Sequence, residues 1–182
     1  MQHNRRLIKI KKAIPFSFVL LLLLISGRSI AGGLFADVSY VGSSVLIAEQ
    51  EFKPTLLQVG IGWQFTDRFA VQVSQASAES DDNVATVTSE IETMSSVMFR
   101  YGSPINGDVN VYVMGGHTDF DLKTTGNTLS STENFAGSSW GVGFEERLSK
   151  NSDFRLHFDY VIHYNQDELK VESYQLGIRY VF

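Results

Sequence analysis

With 182 residues, 3 Pro and no Cys, the chain is sized for one domain or one closed barrel, and it has no disulfide, thiolate metal site or cysteine nucleophile. Residues 1–31 carry six basic side chains and no acid, so the remainder holds nine of the 15 basic residues and all 20 acidic ones. A remainder that acidic lacks the Lys and Arg that phosphates demand, which excludes nucleic acid as a partner.

The chain opens on a basic run from Arg5 to Lys12 and an apolar run from Ala13 to Ile25 with unbroken Leu20 to Leu24. Ser29-Ile30-Ala31 then sets small residues at the −3 and −1 positions of a cut after Ala31. This is the layout of a cleaved secretory signal peptide over residues 1–31. The apolar run is shorter than the roughly 20 residues that a spanning helix needs. Residues 32–182 are the folded domain, and no later stretch is apolar enough to span as a helix.

From Leu34 onward the period is two, as in strands with one apolar and one polar face. A first strand takes Leu34, Ala36, Val38 and Tyr40 on its apolar face. A second takes Leu57, Val59, Ile61, Trp63 and Phe65, opposite Gln58, Gly60, Gly62 and Gln64. A third takes Phe69, Val71 and Val73. The fourth begins near Glu90 and closes on Val97, Phe99 and Tyr101. The fifth starts at Val109, Val111 and Val113, with its far end blurred by Gly115 and Gly116, and the sixth holds Trp140, Val142 and Phe144. The seventh sets Phe154, Leu156, Phe158, Tyr160, Ile162 and Tyr164 against Arg155, His157, Asp159, Val161 and His163. The eighth sets Tyr174, Leu176, Ile178, Tyr180 and Phe182 against Ser173, Gln175, Gly177, Arg179 and Val181. Segments of roughly nine to twelve residues suit tilted strands crossing hydrocarbon.

Connections alternate in length. Short turns are expected at Thr66–Arg68, Ser103–Asp108 and Ser149–Ser152, and long loops at Ser43–Lys53, Ser77–Ser89, Thr118–Glu133 and Asn165–Lys170. Antiparallel order gathers the short turns on one rim and the loops on the other, the outer-membrane arrangement. A soluble lipocalin-like barrel also alternates, with its apolar side chains inward. Three features favour lipid outside. The polar face is rich in Gly, Ser and Gln. It carries charges of both signs, Asp37, Glu92, Arg100, Glu145, Arg155, Asp159 and Arg179, which can pair in a lumen. Aromatics crowd the ends of the apolar face at Tyr40, Trp63, Phe65, Tyr101, Tyr164, Tyr180 and Phe182, as in membrane girdles. The expected fold is an all-β, eight-stranded, antiparallel up-and-down transmembrane β-barrel. Eight strands enclose room for side chains only, so a general diffusion pore is not expected.

The C-terminal run Tyr174-Gln-Leu-Gly-Ile-Arg-Tyr-Val-Phe182 resembles the last strand of Gram-negative outer-membrane proteins. Trp140-Gly-Val-Gly-Phe144 and Gly60-Ile-Gly-Trp63-Gln-Phe65-Thr-Asp-Arg-Phe69 are similar in texture to the small outer-membrane β-barrel family of opacity proteins, OmpX-type proteins and the OmpA membrane domain. The resemblance implies a cell-envelope location among outer-membrane lipids, including lipopolysaccharide. It also implies recognition of the final Phe182 by the barrel-assembly machinery. Fold alone does not fix activity.

Several residues invite functional readings. Arg155, His157, Asp159 and His163 share a face, where a His two residues from an Asp can orient a base or help bind metal; a lumen network is the plainer account. The lipid A deacylase family pairs a His with a Ser two residues on. Here His117 precedes Asp119, His157 precedes Asp159 and His163 precedes Asn165, so that pattern is missing. Asp81-Asp82-Asn83 lacks the spaced ligands of a calcium loop, and Gly60 and Gly62 read as packing positions with no phosphate-binding helix behind them. No catalytic, cofactor-binding or metal residue and no cofactor is expected. The reading is a non-enzymatic barrel with a filled lumen that supports the envelope or meets a surface ligand through its longer loops. The alternatives are a membrane-embedded lipid-modifying enzyme, or a transporter of small hydrophobic molecules through strands loosened at Gly115-Gly116 and Gly137.

Overall fold

The computed structural model describes residues 33–182 apart from residues 48, 67, 85–86, 104–107, 127–129 and 167. Among the described residues ten strands form one antiparallel sheet: β1 (Leu34–Ile47), β2 (Gln50–Phe52), β3 (Thr55–Gln64), β4 (Phe69–Ser80), β5 (Asp82–Val84), β6 (Val87–Gly102), β7 (Val109–Thr125), β8 (Ser130–Arg147), β9 (Phe154–Gln166) and β10 (Leu169–Val181). Pairing of β10 with β1, from Phe35↔Val181 to Ile47↔Leu169, closes the sheet into an eight-stranded barrel. The short β2 and β5 decorate its loop rim by pairing with β1 and β6. Closure removes the sheet edge that hydrocarbon would leave unsatisfied.

Register fixes the stagger. Followed one way from Val38, partners run through Val59, Gln75, Ser95 and Asp119 to Ala136 on β8. Followed the other way they run through Ile178 and Leu156 to Glu146, ten residues further along β8. That offset is the shear that tilts the strands by the roughly 35–45° typical of barrels.

Alternation sends the apolar face out. Val38, Tyr40, Leu57, Phe99, Val111, Trp140, Leu176 and Ile178 are exposed, whereas Asp37, Arg100, Glu145, His157, Asp159 and Arg179 are buried. An apolar exterior this continuous belongs in lipid, not water. Aromatic pairs ring the short-turn end, at Trp63–Phe65, Phe69–Tyr101, Phe154–Tyr180 and Tyr180–Phe182. Tyr160 and Tyr174 pair nearer the loops, on the level of Tyr40 and Trp140. These are the two interfacial girdles.

The structure corrects the sequence reading in three places. The four long connections are mainly strand: β7 and β8 pair out to Thr125↔Ser130, and β4, β5 and β6 account for most of residues 77–89. Polar Ser/Thr-rich stretches make good strands once a hairpin carries them above the membrane, and β7 runs unbroken through Gly115 and Gly116. Glu92 is not a lumen residue. A bulge between Ile91 and Thr93 turns it outward, where it meets Lys123 Nζ at 3.3 Å. Tyr164 is not on the lipid face either. A bulge opposite Val171/Glu172 swings its ring inward onto Phe120 and Phe135. The turn at Ser149–Ser152 holds; of Thr66–Arg68 and Ser103–Asp108 only the ends lie within the described residues, and Arg68 N donates to Thr66 Oγ1 at 3.2 Å.

Candidate functional site

The lumen is built in three tiers, and glycines make room for it. Five bulky inward side chains face a glycine across the ladder: Phe35 opposite Gly62, Asp37 opposite Gly60, Tyr112 and Asp159 opposite Gly143, and His157 opposite Gly177. A Cβ at Gly60 would lie 2.6 Å from Asp37 Oδ1, and one at Gly62 2.1 Å from the Phe35 ring. Gly60 and Gly62 are therefore packing positions, as their sequence context suggested.

The tier nearest the short turns is ionic. Arg179, 1% exposed, donates to Asp37 Oδ2 (3.2 Å), Gln72 Oε1 (3.2 Å) and Glu145. Glu145 also accepts Arg100 Nη2 at 3.1 Å and Arg155 Nη1 at 2.8 Å. The guanidinium of Arg100 stacks 3.7 Å over the Tyr112 ring, and that of Arg179 lies 4.5 Å over Phe35. Three arginines thus bond Asp37 and Glu145, with Asp159 beside them on Tyr112 and His157 as the third carboxylate, so the buried charge is balanced and nearly every polar atom is bonded. Arg100 Nε is the exception.

The middle tier holds the histidines. Ser39 Oγ lies 3.2 Å from His157 Nε2, His157 Nδ1 lies 3.0 Å from Asp159 Oδ2, and Tyr112 donates its hydroxyl to Asp159. That is the order of a hydrolase relay. Here all of its members are buried among lumen side chains. Next to it, His163 bonds Thr118 (3.3 Å) and Ser173 (2.8 Å), with Ser139, Ser96, Gln175 and Gln58 extending the chain of hydrogen bonds. Both ring nitrogens of each histidine are engaged, which leaves no lone pair aimed at a metal. No group of three or more His, Asp or Glu gathers to hold a metal among the described residues. Gln58, Gln72, Ser74, Ser96, Met98, Met114 and His163 line a cavity of about 20 Å³, room for about one water.

The third tier was not anticipated. Towards the loops the lumen turns apolar: Val41, Val45, Phe52, Leu56, Ala76, Ile91, Met94, Phe120, Leu122 and Val171 form one buried cluster, with Phe135 and Tyr164 packed against it. On the same strands the outward side becomes polar, at Ser44, Gln75, Ser95, Asp119 and Asn134. The signal was present in the spacing of Phe120 and Leu122, and of Val41 and Val45, at inward parity.

The loop end is also acidic. Thirteen of the 20 acidic residues and three lysines fall in residues 44–55, 75–95, 117–136 and 164–172. On its outer wall Asn134 Nδ2 holds Asp119 Oδ1 (3.1 Å) and Asp121 Oδ1 (3.0 Å), and Thr93 donates to Asp121. The nearby carboxylates of Glu92 and Glu90 raise the pKa of Lys123 above its ordinary value. His117 stands exposed on this wall, while Asp119 is engaged by Asn134. Asp82 accepts the Lys53 amide at 2.7 Å and so ties two strand ends together. One seam is incomplete: β8 and β9 pair only from Trp140↔Ile162 downward, and above that Ser139 Oγ reaches His163 O at 3.0 Å beside Gly137.

A family model, the outer membrane protein beta-barrel domain, matches residues 18–182. Among solved structures, the attachment invasion locus protein Ail of Yersinia pestis, in complex with the heparin analogue sucrose octasulfate, is 18% identical with a TM-score of 0.64, covering 84% of this chain and 100% of Ail. The N-terminal β-barrel domain of Pseudomonas aeruginosa OprF is 14% identical (TM-score 0.60, 83% and 99% covered). Neisserial surface protein A is 13% identical (TM-score 0.59, 82% and 97% covered). At these identities the likeness is one of fold. A search of curated proteins finds no match.

Proposed function

Because the chain belongs to the outer membrane protein beta-barrel domain family, and because an apolar cluster stoppers its polar lumen at the loop end, we propose that it is a non-conducting, non-enzymatic barrel that presents a rigid loop-side platform at the cell surface. The stopper carries the reading. Hydrated solutes entering among the charges below it would have to shed water against Phe120, Met94 and Leu56. Ser39, His157 and Asp159 hold catalytic chemistry in name only, since lipid or water-borne substrate has no way to the Ser39 oxygen. The Tyr164 ring over Gly137 weighs likewise against free lateral passage of hydrophobic molecules. Residues 1–31 are removed after Ala31, Phe182 is read by the assembly machinery, and lipopolysaccharide surrounds the outer wall. Ail is bound to a polyanion; the acidic loop end of this chain fits a ligand of the opposite charge.

The test is reconstitution into liposomes followed by osmotic swelling in small sugars. No swelling above lipid background is expected. Swelling that depends on the folded protein would overturn the reading.

A further inference from the structure

Gly115 interrupts the outer wall at the level where its polarity changes. It is paired with Phe99 on β6 and Trp140 on β8, and both of those side chains point outward. A Cβ placed on Gly115 would meet nothing closer than Ser139 O, at 3.9 Å. The flanking strands stand roughly 10 Å apart across β7. Between the two rings lies a slot floored by backbone, with room for one hydrocarbon chain.

Two residues nearer the loops, His117 and Ser138 face each other across the β7–β8 ladder, and both are exposed. Other polar side chains of that wall are already engaged: Ser95 with Gln75, Asp119 and Asp121 with Asn134, and Glu92 with Lys123. His117 and Ser138 have no side-chain partner among the described residues. An imidazole N–H and a hydroxyl are therefore free to donate just above the hydrocarbon. A further two residues along β7, roughly 7 Å on, Asp119 begins the acidic wall that Asp121 continues. From the membrane outward the wall thus offers an apolar slot, two donors and then two carboxylates.

We propose that this slot seats one zwitterionic aminophospholipid of the loop-side leaflet. An acyl chain lies over Gly115 between Phe99 and Trp140, the phosphate accepts from His117 and Ser138, and the ammonium meets Asp119 and Asp121. The sequence of chemistries selects the occupant. Phosphate is a strong acceptor and an ammonium brings three donors, so each part of the headgroup finds its complement in order. A lipid whose headgroup is only anionic would set its charge beside Asp119 and Asp121 and gain nothing from them. The inference goes beyond the platform reading and does not rest on it.

The experiment uses the mature barrel in phosphatidylglycerol vesicles in which brominated phosphatidylethanolamine replaces part of the lipid. Bromine quenches a tryptophan that it touches. The chain has two tryptophans, so Trp63→Phe leaves Trp140 alone to report. Against brominated phosphatidylglycerol in the reciprocal mixture, a preference of about tenfold for phosphatidylethanolamine is expected at Trp140. Gly115→Leu fills the slot, with no neighbour to clash, and should abolish the preference. Asp119→Asn should remove most of it, because phosphatidylglycerol then competes. In Trp140→Phe the remaining Trp63, at the other girdle, should report no preference. Should Gly115→Leu fail to fold, Asp119→Asn and the comparison of the two tryptophans make the same test. Equal quenching of Trp140 by the two lipids overturns the proposal, as does the same preference at Trp63. Full preference retained in Asp119→Asn overturns it too. Displacement of phosphatidylethanolamine from Trp140 by trace lipopolysaccharide would assign the slot to an anionic lipid, also overturning it.

Discussion

Glu145→Gln tests the ionic tier most directly. Glu145 is 3% exposed and receives Arg100, Arg155 and Arg179. The amide keeps the volume but replaces one acceptor oxygen with a donor aimed at guanidinium N–H groups. Asp37 is then the only carboxylate still bonded to an arginine, and with Asp159 held by His157 the three arginines exceed the two acids by one positive charge. Breaking a buried pair in this way costs about 3–5 kcal/mol, or two to nearly four orders of magnitude in the folding constant at about 1.4 kcal/mol per tenfold. Arg155 is the outlet, with its side chain 12% exposed at the rim. Removing it as well, in Glu145→Gln/Arg155→Gln, restores neutrality and should recover part of the loss, a coupling of about 0.5–3 kcal/mol. The assay is reversible guanidinium unfolding in phospholipid vesicles, read by the fluorescence of outward-facing Trp63 and Trp140. A single variant within about 1 kcal/mol of wild type, or a double variant whose losses simply add, would refute the account of the lumen as a charge-balanced network.

Other outcomes follow from the same geometry. In Gly143→Ala the new Cβ would lie 2.0 Å from Asp159 Oδ1 and 2.6 Å from the Tyr112 ring; a loss of about 1–3 kcal/mol is expected, seen as a lower unfolding midpoint. Phe120→Ala empties the centre of the apolar cluster, at about 3–5 kcal/mol. Limited proteolysis should then nick residues 119–134 while the membrane-embedded part stays protected, and uniform proteolysis would contradict a separately packed cap. N-terminal sequencing of protein from outer membranes should begin at Gly32; an intact Met1 would remove the cleavage proposal. Phe182→Ala should slow appearance of the compact, unboiled band on gels after synthesis, and an unchanged rate would argue against recognition of that residue.

The outward face was legible because lipid tolerates no interruption of an apolar period, and the same parity located Asp37, Arg100, Glu145, Arg155, Asp159 and Arg179 inside. Parity counting fails where a residue is inserted. Glu92 and Tyr164 both lie past bulges, which leave no mark in composition and reverse every face beyond them. The hairpin extensions escape a reading of Thr118–Glu133 by its polar residues, because Phe120 and Leu122 within it and Phe135 just past it are what the cap is made of. Ser39 as the partner of His157 could not be read at all, since the two are separated by 118 positions and meet only when β10 closes on β1.

The exchange of polarity between inside and outside occurs at the level of Tyr40, Trp140, Tyr160 and Tyr174. Below it the barrel is dry outside and polar within; above it the reverse holds. This fixes how deep the molecule sits. A thicker bilayer would drag Gln75, Ser95 and Asp119 into hydrocarbon, and a thinner one would strand Trp140 and Tyr174 in water. A smooth apolar cylinder can slide or tilt to suit hydrophobic mismatch, whereas this one has an upper stop. The chain is thereby matched to one hydrocarbon thickness, and lipid thickness becomes a variable that selects where it is stable.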